Sequence, residues 1–164
     1  MTFAIIETSH GIIELELDNL KAPITTANFL SYIDDGFYNG TIFHRVISTF
    51  MIQGGGFLPG MVQKKIKKTI ANESSNGLTN KRGTVAMART SDPNSASSQF
   101  FFNVIDNHFL DKVNSRDGVG YCVFGNVTKG IEVLDFMKMS STQSVNGHAD
   151  VPVSDILIIK TKRK

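Results

Sequence analysis

A single arginine lies among apolar residues and amides in the segment 41–57, which reads TIFHRVISTFMIQGGGF. The pattern predicts two short strands joined by a tight turn. An arginine in such surroundings is either the ion-pair partner of a carboxylate or a hydrogen-bonding fork presented to a ligand. No acidic residue lies between Asp35 and Glu73, so a carboxylate partner of Arg45 would have to be distant in the sequence.

Alternation along a strand sorts these side chains onto two faces. Arg45 is expected to share its neighbourhood with a methionine and a glutamine across the turn at Ser48-Thr49, and glycines 54–56 would let the backbone run closely behind a pocket. On the first strand, one face is expected to carry Phe43, Arg45 and Ile47, and the other His44 and Val46. On the second strand, one face is expected to carry Met51 and Gln53, and the other Phe50 and Ile52.

A second segment, SQFFFNVI at 98–105, carries three consecutive phenylalanines. Period-two alternation sends Phe100 and Phe102 to one face and places Phe101 on the other face with Gln99. The three rings therefore cannot share one core. Phe101 faces either a second small core or a pocket.

Several kinds of chemistry are excluded by residue type and spacing. The four histidines are scattered and a single cysteine cannot anchor zinc with the usual spacing, so no metal site is expected. No phosphate-binding loop and no Gly-x-Ser-x-Gly elbow occurs. His44 is interpreted as a core residue ahead of a general base, and Cys122 as a buried hydrophobe ahead of a reactive thiol. The remaining groups suit a reaction without nucleophile or cofactor, or a site that only binds peptide.

The elements that position these residues are mostly strands. A hairpin is predicted over 3–8 and 12–17, with further strands at 84–88, 121–127 and 153–161. The second hairpin strand alternates, with Ile13, Leu15 and Leu17 expected inward and Glu14 and Glu16 outward. Helices are predicted from Pro23 to the glycine at 36, with an apolar stripe of Phe29, Leu30 and Ile33, and over 129–139. Irregular loops are predicted over 58–82 and 106–118. There is no alternation of strands and helices. This order favours an antiparallel sheet, closed or strongly curved, with the helices packed at its ends.

Composition limits the remaining possibilities. A chain of 164 residues fits a single domain over 1–164, and no stretch approaches a membrane span. The N-terminus lacks the features of a signal peptide, which together with the lone cysteine predicts a cytoplasmic protein. The net charge of +2 demands no polyanionic partner. The basic run Lys64–Lys68 is interpreted as a solvated loop ahead of a nucleic-acid contact, because no aromatic residue is interleaved with it.

The chain resembles the cyclophilin-type peptidyl-prolyl cis-trans isomerases. The resemblance lies in FHRVISTFMIQGGGF, MARTSDPNSASSQFFFNV, FLD and YCVFGNV, and it extends over nearly the whole chain. Within the family the sequence is most similar to the compact bacterial cytoplasmic cyclophilins of the B type. The resemblance implies a closed eight-stranded antiparallel β-barrel capped by two α-helices, with the site on the outer surface of the barrel.

The resemblance also implies a role for individual positions. Arg45 matches the catalytic arginine, and no cofactor or metal is implied. The expected partners are proline-containing peptides and folding proteins bound by a monomer, without nucleic acid or membrane. The substrate-binding positions it implies are Phe50, Met51, Gln53, Ala88, Arg89, Gln99, Phe101, Phe109, Leu110 and Tyr121.

Three positions depart from the cyclosporin-sensitive eukaryotic pattern. Phe109 stands in place of a tryptophan and has no N–H to donate, which predicts weak cyclosporin binding at best. Tyr121 replaces a histidine at the edge of the pocket. Arg89-Thr90 replaces Asn-Ala, which affects the preference for the residue before proline. The leading hypothesis is an isomerase of X–Pro bonds, ahead of a proline-peptide binding module and a nucleic-acid-associated protein.

Overall fold

Twelve strands and two α-helices make up the chain, and the computed structural model describes all residues 1–164. Single 3-10 turns lie at Ser74–Asn76 and His108–Leu110. The helices are α1 (Pro23–Asp34) and α2 (Ile131–Met137). The strands are β1 (Thr2–Thr8), β2 (Gly11–Leu17), β3 (Arg45–Ile47), β4 (Met51–Gly54), β5 (Phe57–Leu58), β6 (Val62–Gln63), β7 (Thr84–Met87), β8 (Phe100–Asn103), β9 (Val123–Lys129), β10 (Thr142–Val145), β11 (His148–Pro152) and β12 (Ile158–Arg163).

Eight strands form one antiparallel sheet in the order β12-β1-β2-β9-β7-β8-β4-β3. The sheet is strongly curled but open, so the expectation of a closed barrel was wrong. Its end strands β3 and β12 form no ladder with each other. The gap is spanned only by the bridge between Ile42 and Leu157 and by bonds such as that from the Phe43 N–H to the Ile156 carbonyl, 2.9 Å. Closure fails because β3 is three residues long and hairpin β10–β11 packs beside it.

The first hairpin shows the predicted alternation. Ile13 and Leu15 on β2 are fully buried, whereas Glu14 between them is half-buried and reaches solvent. On β1, Ile6 stands directly opposite Ile13. Because the side chains of a strand alternate, this register delivers a continuous apolar face to the core.

The main core fills the space between the concave face of the sheet and helix α1. Phe100 and Phe102 both enter it, and Phe29 of α1 meets Phe100 edge-on with ring centroids 5.3 Å apart. The predicted apolar stripe of α1, with Phe29, Leu30 and Ile33, is buried as expected. Edge-to-face rings at this distance add stabilisation beyond their buried area.

Helix α2 is shorter than the predicted span 129–139. It begins at Ile131 because Gly130 adopts φ +91°, a left-handed conformation that ends the preceding strand and cannot continue a helix. Leu134 and Met137 are fully buried, and Ile131 packs at the border of the core. Neither helix is long and apolar enough to cross a membrane.

Two face assignments around the central hairpin were wrong. Phe43 lies in the main core with Val46, not beside Arg45, and Phe50 packs with Met51, not with Ile52. The reason is that β3 begins only at Arg45 and β4 only at Met51. Period-two alternation holds within a strand and does not extend into the turn or the segment before it.

Two further strands begin later in the chain than predicted. The strand predicted over 121–127 begins at Val123, and the one predicted over 153–161 begins at Ile158, where pairing with β1 starts. Hairpin β10–β11 was not predicted at all. Its strands are exposed over most of their length, so they lack the apolar alternation that identifies a strand in sequence.

Candidate active site

The central hairpin brings Arg45 to the outer face of the sheet. In the register of β3 and β4, Arg45 stands opposite Gln53, and Gln53 stands opposite Phe101 on the neighbouring β8. Residues that are directly opposite in adjacent strands share a face. An arginine, a glutamine and a phenylalanine from three strands therefore form one row across the sheet.

This row opens into a cavity of about 320 Å³. Ten of the eleven residues predicted for the site line it, although they come from five separate stretches of the chain. The missing one is Gln99, which is hydrogen-bonded to the lining residue Gln53. The lining residues are Arg45, Phe50, Met51, Gln53, Ala88, Arg89, Phe101, Phe109, Leu110 and Tyr121.

The floor of the cavity is a small apolar cluster separate from the main core. It consists of Met51, Ala86, Phe101, Leu110 and Val123, all buried. Both alternatives for Phe101 are thus realised, because it belongs to a second small core that is also the floor of a pocket. Phe101 stands opposite Ala86 on β7, so the two side chains share this face.

The rim of the cavity is aromatic and partly exposed. Phe109 is 58% exposed, and its ring centroid lies 5.6 Å from that of Phe50. On the opposite side the Tyr121 ring meets Phe101 at 6.0 Å. A buried apolar floor with an accessible aromatic rim is suited to holding a small apolar ring.

No carboxylate lies within salt-bridge distance of the Arg45 guanidinium, which excludes the ion pair, one of the two alternatives for this arginine. Its Nη1 donates only a long hydrogen bond, 3.5 Å, to Oε1 of Gln53. Its Cζ lies 6.0 Å from the centroid of the Phe50 ring. The side chain is half-buried, so most of its donors remain available beside the cavity.

Gln53 in turn donates from Nε2 to Oε1 of Gln99 at 2.9 Å. Gln99 is backed by Gly56, where an added Cβ would lie 2.6 Å from the glutamine side chain. The close backbone approach predicted for glycines 54–56 is therefore present. It supports a polar chain that runs from Gln99 through Gln53 to Arg45.

Arg89 lines the wall but its charged end is already engaged. The side chain is 2% exposed, Nη2 lies 2.6 Å from a carboxylate oxygen of Asp117, and Cζ lies 4.3 Å over the Tyr121 ring. Backbone N–H groups, led by that of Gly120, and the Arg89 guanidinium hold the pKa of the Asp117 carboxyl well below its usual range. Arg89 thus stiffens the wall and has little donor capacity left for a ligand.

A buried network of amides that was not predicted supports one side of the cavity. Nδ2 of Asn107 donates to the Phe50 carbonyl and to Oδ1 of Asn103, each at 2.8 Å. Asn103 donates onward to Asn80 at 3.1 Å, and the Asn80 N–H donates to Asp111 at 2.6 Å. The only signal in the sequence is the period-two alternation, which places Asn103, two residues after Phe101, on the face of Phe101.

The two other titratable candidates are buried and do not face the cavity. His44 is 6% exposed and packs on Phe57 with ring centroids 4.6 Å apart. Burial, followed by the nearby His148 and Arg45, lowers the pKa of the His44 imidazole to about 4. Burial also raises the pKa of the Cys122 thiol to about 11, so both groups are neutral at physiological pH, as a packing role requires.

Nothing in the molecule suggests a metal centre, since no three His, Cys, Asp or Glu side chains converge.

Two lysines of the basic run 64–68 form contacts within the protein. Lys64 donates to the Phe37 carbonyl at 2.6 Å, and Lys67 pairs with Asp35. A larger cavity of about 720 Å³ is lined by residues such as Leu78 and Arg82, and the residue it shares with the candidate site is Val123 of the apolar floor.

Comparison with known proteins identifies the family of the chain. The family model described as cyclophilin type peptidyl-prolyl cis-trans isomerase/CLD matches residues 3–163. Peptidyl-prolyl cis-trans isomerase B of Escherichia coli is 55% identical over 152 residues, which cover 92% of this chain and 93% of the relative. A peptidyl-prolyl cis-trans isomerase of Acinetobacter baylyi is 53% identical over 163 residues, 99% of this chain and 86% of the relative.

The fold has solved relatives as well. A crystal structure of a cyclophilin-type peptidyl-prolyl cis-trans isomerase of Cryptosporidium parvum, obtained in the presence of the dipeptide Ala-Pro, matches with a TM-score of 0.83. Sequence identity is 28%, and the match covers 97% of this chain and 96% of the relative. The family model and the sequence identities show that the chain belongs to the cyclophilin-type peptidyl-prolyl cis-trans isomerases.

Proposed function

We propose that the chain isomerises X–Pro bonds at the cavity beside Arg45 and thereby assists protein folding. The proline ring occupies the apolar floor formed by Met51, Phe101 and Leu110. The Arg45 guanidinium donates to the prolyl nitrogen of the twisted bond. The polar chain through Gln53 and Gln99 holds the peptide backbone.

The observation that carries this proposal is an arginine with no carboxylate partner at the edge of a ring-sized apolar hollow. Its charge is constant over the physiological pH range, because a guanidinium does not deprotonate in proteins. A half-buried guanidinium without an acidic partner costs free energy, because it has lost part of its hydration. A ligand that accepts its hydrogen bonds offsets this cost. A prolyl amide that rotates in the cavity supplies the missing acceptor.

The chemistry needs no covalent step. Amide resonance sets a barrier of about 18–20 kcal/mol, and the uncatalysed X–Pro bond isomerises over roughly tens to hundreds of seconds. The twisted bond has lost conjugation, so its nitrogen is a better acceptor than in either planar isomer. A hydrogen bond that is stronger in the twisted state than in the planar states accelerates rotation by differential binding.

The expected rate gain is larger than one hydrogen bond from the arginine can supply, so the cavity must contribute as well. A rate gain of about 10⁴ corresponds to about 5–6 kcal/mol. A hydrogen bond to a charged group contributes about 1.5–3 kcal/mol. The remainder is assigned to the apolar cavity, which anchors the ring while the carbonyl of the preceding residue swings around it.

Two further observations support this site. The related Cryptosporidium parvum protein was crystallised in the presence of Ala-Pro, a dipeptide of the chemistry proposed here. The nucleic-acid alternative loses support because Lys64 and Lys67 are engaged within the chain. We assign the protein to the cytoplasm as a monomer that acts on folding chains without nucleic acid or membrane.

Exchange NMR on a short X–Pro peptide tests the proposal. Arg45→Ala is expected to lower kcat/KM by about 10- to 150-fold, the equivalent of one charge-assisted hydrogen bond. The variant should unfold at the wild-type temperature, since Arg45 makes no strong bond in the fold.

Arg116→Ala is the matched control, because this arginine is exposed and lies outside the cavity. Full activity of the Arg45 variant would remove the arginine from the mechanism. Peptide binding without any turnover by the wild-type protein would instead indicate a binding module.

A further inference from the structure

A second cavity, of about 410 Å³, adjoins the candidate active site. Arg45 and Gln53 line both cavities, so a peptide held at the first can extend directly into the second. Its outer wall is the tip of hairpin β10–β11, including His148 and Asp150.

The hairpin carries an irregularity at the cavity. Gln143 pairs with Val151 and Val145 pairs with His148, so β11 has one residue more than β10 between these pairs. Asp150 lies in this bulge with φ +62°. A bulge position in the left-handed region usually carries glycine, and bulges near active sites serve to redirect a side chain.

Asp150 also lacks any partner for its charge. Its half-buried carboxylate makes no hydrogen bond and no salt bridge within the protein, unlike Asp117 and Asp135, each paired with an arginine. Asp150 lines this cavity and also a neighbouring one that contains Lys138. A non-glycine residue in a left-handed conformation with an unpaired carboxylate is an outlier of the kind found at functional sites.

The inner wall of the cavity is aromatic. The His44 ring lies 4.6 Å from the Phe57 ring, and the Phe57 ring lies 5.4 Å from that of His148. Planar guanidinium groups stack on such rings and form bidentate bonds with a carboxylate. The ring wall and the carboxylate together match one side-chain chemistry, that of arginine.

We propose that this second cavity is a specificity subsite for a basic side chain, arginine above all, in the peptide substrate. The inference rests on the proposed function, because it assumes that the proline ring occupies the first cavity. The basic residue lies within about three positions of the proline, since the cavities adjoin and an extended chain advances about 3.3–3.6 Å per residue. Arg45 also lines this cavity, but in the proposed function its guanidinium donates to the prolyl amide, which leaves Asp150 as the free charge. A glutamate at the same position meets Asp150 as a like charge and is disfavoured.

An arginine scan of an X–Pro peptide tests the subsite. Arginine, glutamine or glutamate is placed in turn at each of three positions before and after the proline, in an otherwise alanine peptide. Wild-type protein should prefer arginine over glutamate at one position by about fivefold to tenfold in kcat/KM, with glutamine between them. The preference should shrink with added salt, because a partly exposed pair is screened.

Two variants assign the preference to Asp150. Asp150→Asn removes the charge and keeps the bulge, because asparagine tolerates the left-handed region, and Asp150→Gly removes the side chain without backbone strain. Both variants should lower the ratio of kcat/KM for the arginine peptide to kcat/KM for the glutamate peptide to a value between about 1 and 2. The charge-matched control Glu132→Gln, on the exposed surface of α2, should keep the wild-type ratio.

The outcomes separate this inference from the proposed function. If the wild-type protein turns over the alanine peptide but shows no preference at any position, the subsite is overturned and the proposed function stands. A preference that persists in both Asp150 variants also overturns the subsite. If no peptide is turned over at all, both proposals fail.

Discussion

The side-chain amide of Asn107 donates a hydrogen bond of 2.8 Å to the backbone carbonyl of Phe50, 57 positions earlier in the chain. The same amide donates to Asn103 at the end of β8. Asn107 therefore ties the turn that carries Phe109 and Leu110 to the turn that carries Phe50. These are two sides of the candidate proline cavity, so a fully buried amide sets the distance between them.

Asn107→Ala should reduce stability and weaken substrate binding together. The substitution leaves Oδ1 of Asn103 without a donor, while the Phe50 carbonyl keeps only its bond from the Val104 N–H at 3.2 Å. A buried acceptor left unpaired costs about 1–3 kcal/mol, which urea unfolding measures. At temperatures where the variant is folded, KM should rise more than kcat falls.

Asn114→Ala is the control for this change. The Asn114 amide donates to the His108 carbonyl at 3.1 Å in an exposed loop, so its loss should cost less than about 1 kcal/mol. Equal effects of the two substitutions on KM would show that the buried network does not position the cavity.

Two neighbouring glycines should respond differently to alanine. The three heavy atoms nearest to an added Cβ at Gly56 all belong to the Gln99 side chain, the closest at 2.6 Å, so Gly56→Ala displaces Gln99 and breaks its 2.9 Å bond with Gln53. We expect kcat/KM to fall up to about tenfold, with a loss of stability below about 1 kcal/mol. Peptide turnover and thermal unfolding of the same preparation provide both values.

Gly55→Ala is the contrasting case. Gly55 has φ +90°, and its Cβ would lie 2.9 Å from the rings of Phe100 and Tyr38 in the core. Strain and overpacking should destabilise the protein by about 2–4 kcal/mol. If Gly56→Ala destabilised the protein as much as Gly55→Ala, the role of Gly56 would be structural and not that of a support for Gln99.

His44 should make stability depend on pH between about 6.5 and 4. Burial first, then His148 and Arg45, lower the pKa of its imidazole from 6.5 to about 4 in the folded protein. In this window the unfolded chain binds a proton at His44 and the folded protein does not, so stability falls as the pH falls. The loss amounts to at most about 3 kcal/mol.

His44→Phe removes the titrating group and keeps an aromatic ring against Phe57. Urea unfolding at pH 6.5, 5.5 and 4.5 should show a much flatter profile for the variant than for the wild-type protein. Acidic residues with lowered pKa, such as Asp135, lose their contribution only below about pH 4, outside the window tested. Parallel profiles for the two proteins would exclude His44 as the cause.

Phe109 should control cyclosporin affinity. A phenyl ring has no donor, whereas an indole at this exposed position offers one N–H to a ligand in the cavity. Phe109→Trp is expected to strengthen cyclosporin inhibition by about three- to tenfold, the equivalent of one neutral hydrogen bond, with peptide turnover retained. Phe136→Trp, on the exposed side of α2, should leave the inhibition unchanged, and an equal gain there would indicate non-specific binding.

Much of the local structure could be predicted from residue pattern. The alternation of β2 and the apolar stripe of α1 were confirmed, and so was the division of Phe100 and Phe102 from Phe101. These predictions succeeded because each depends on the period of one regular element. Predictions from periodicity failed at Phe43 and Phe50, because the strand had not yet begun at these residues. They also missed hairpin β10–β11, because its exposed strands have no apolar period.

The sequence by itself determined the family, the faces of the main strands and the set of residues around the cavity. Only the tertiary structure decided that the sheet stays open, that Arg45 has no acidic partner while Arg89 is paired with Asp117, and that Asn107 braces Phe50. Side-chain periodicity is set by neighbouring residues along the chain. Pairing across the sheet joins residues tens of positions apart, and no local pattern specifies which of them meet.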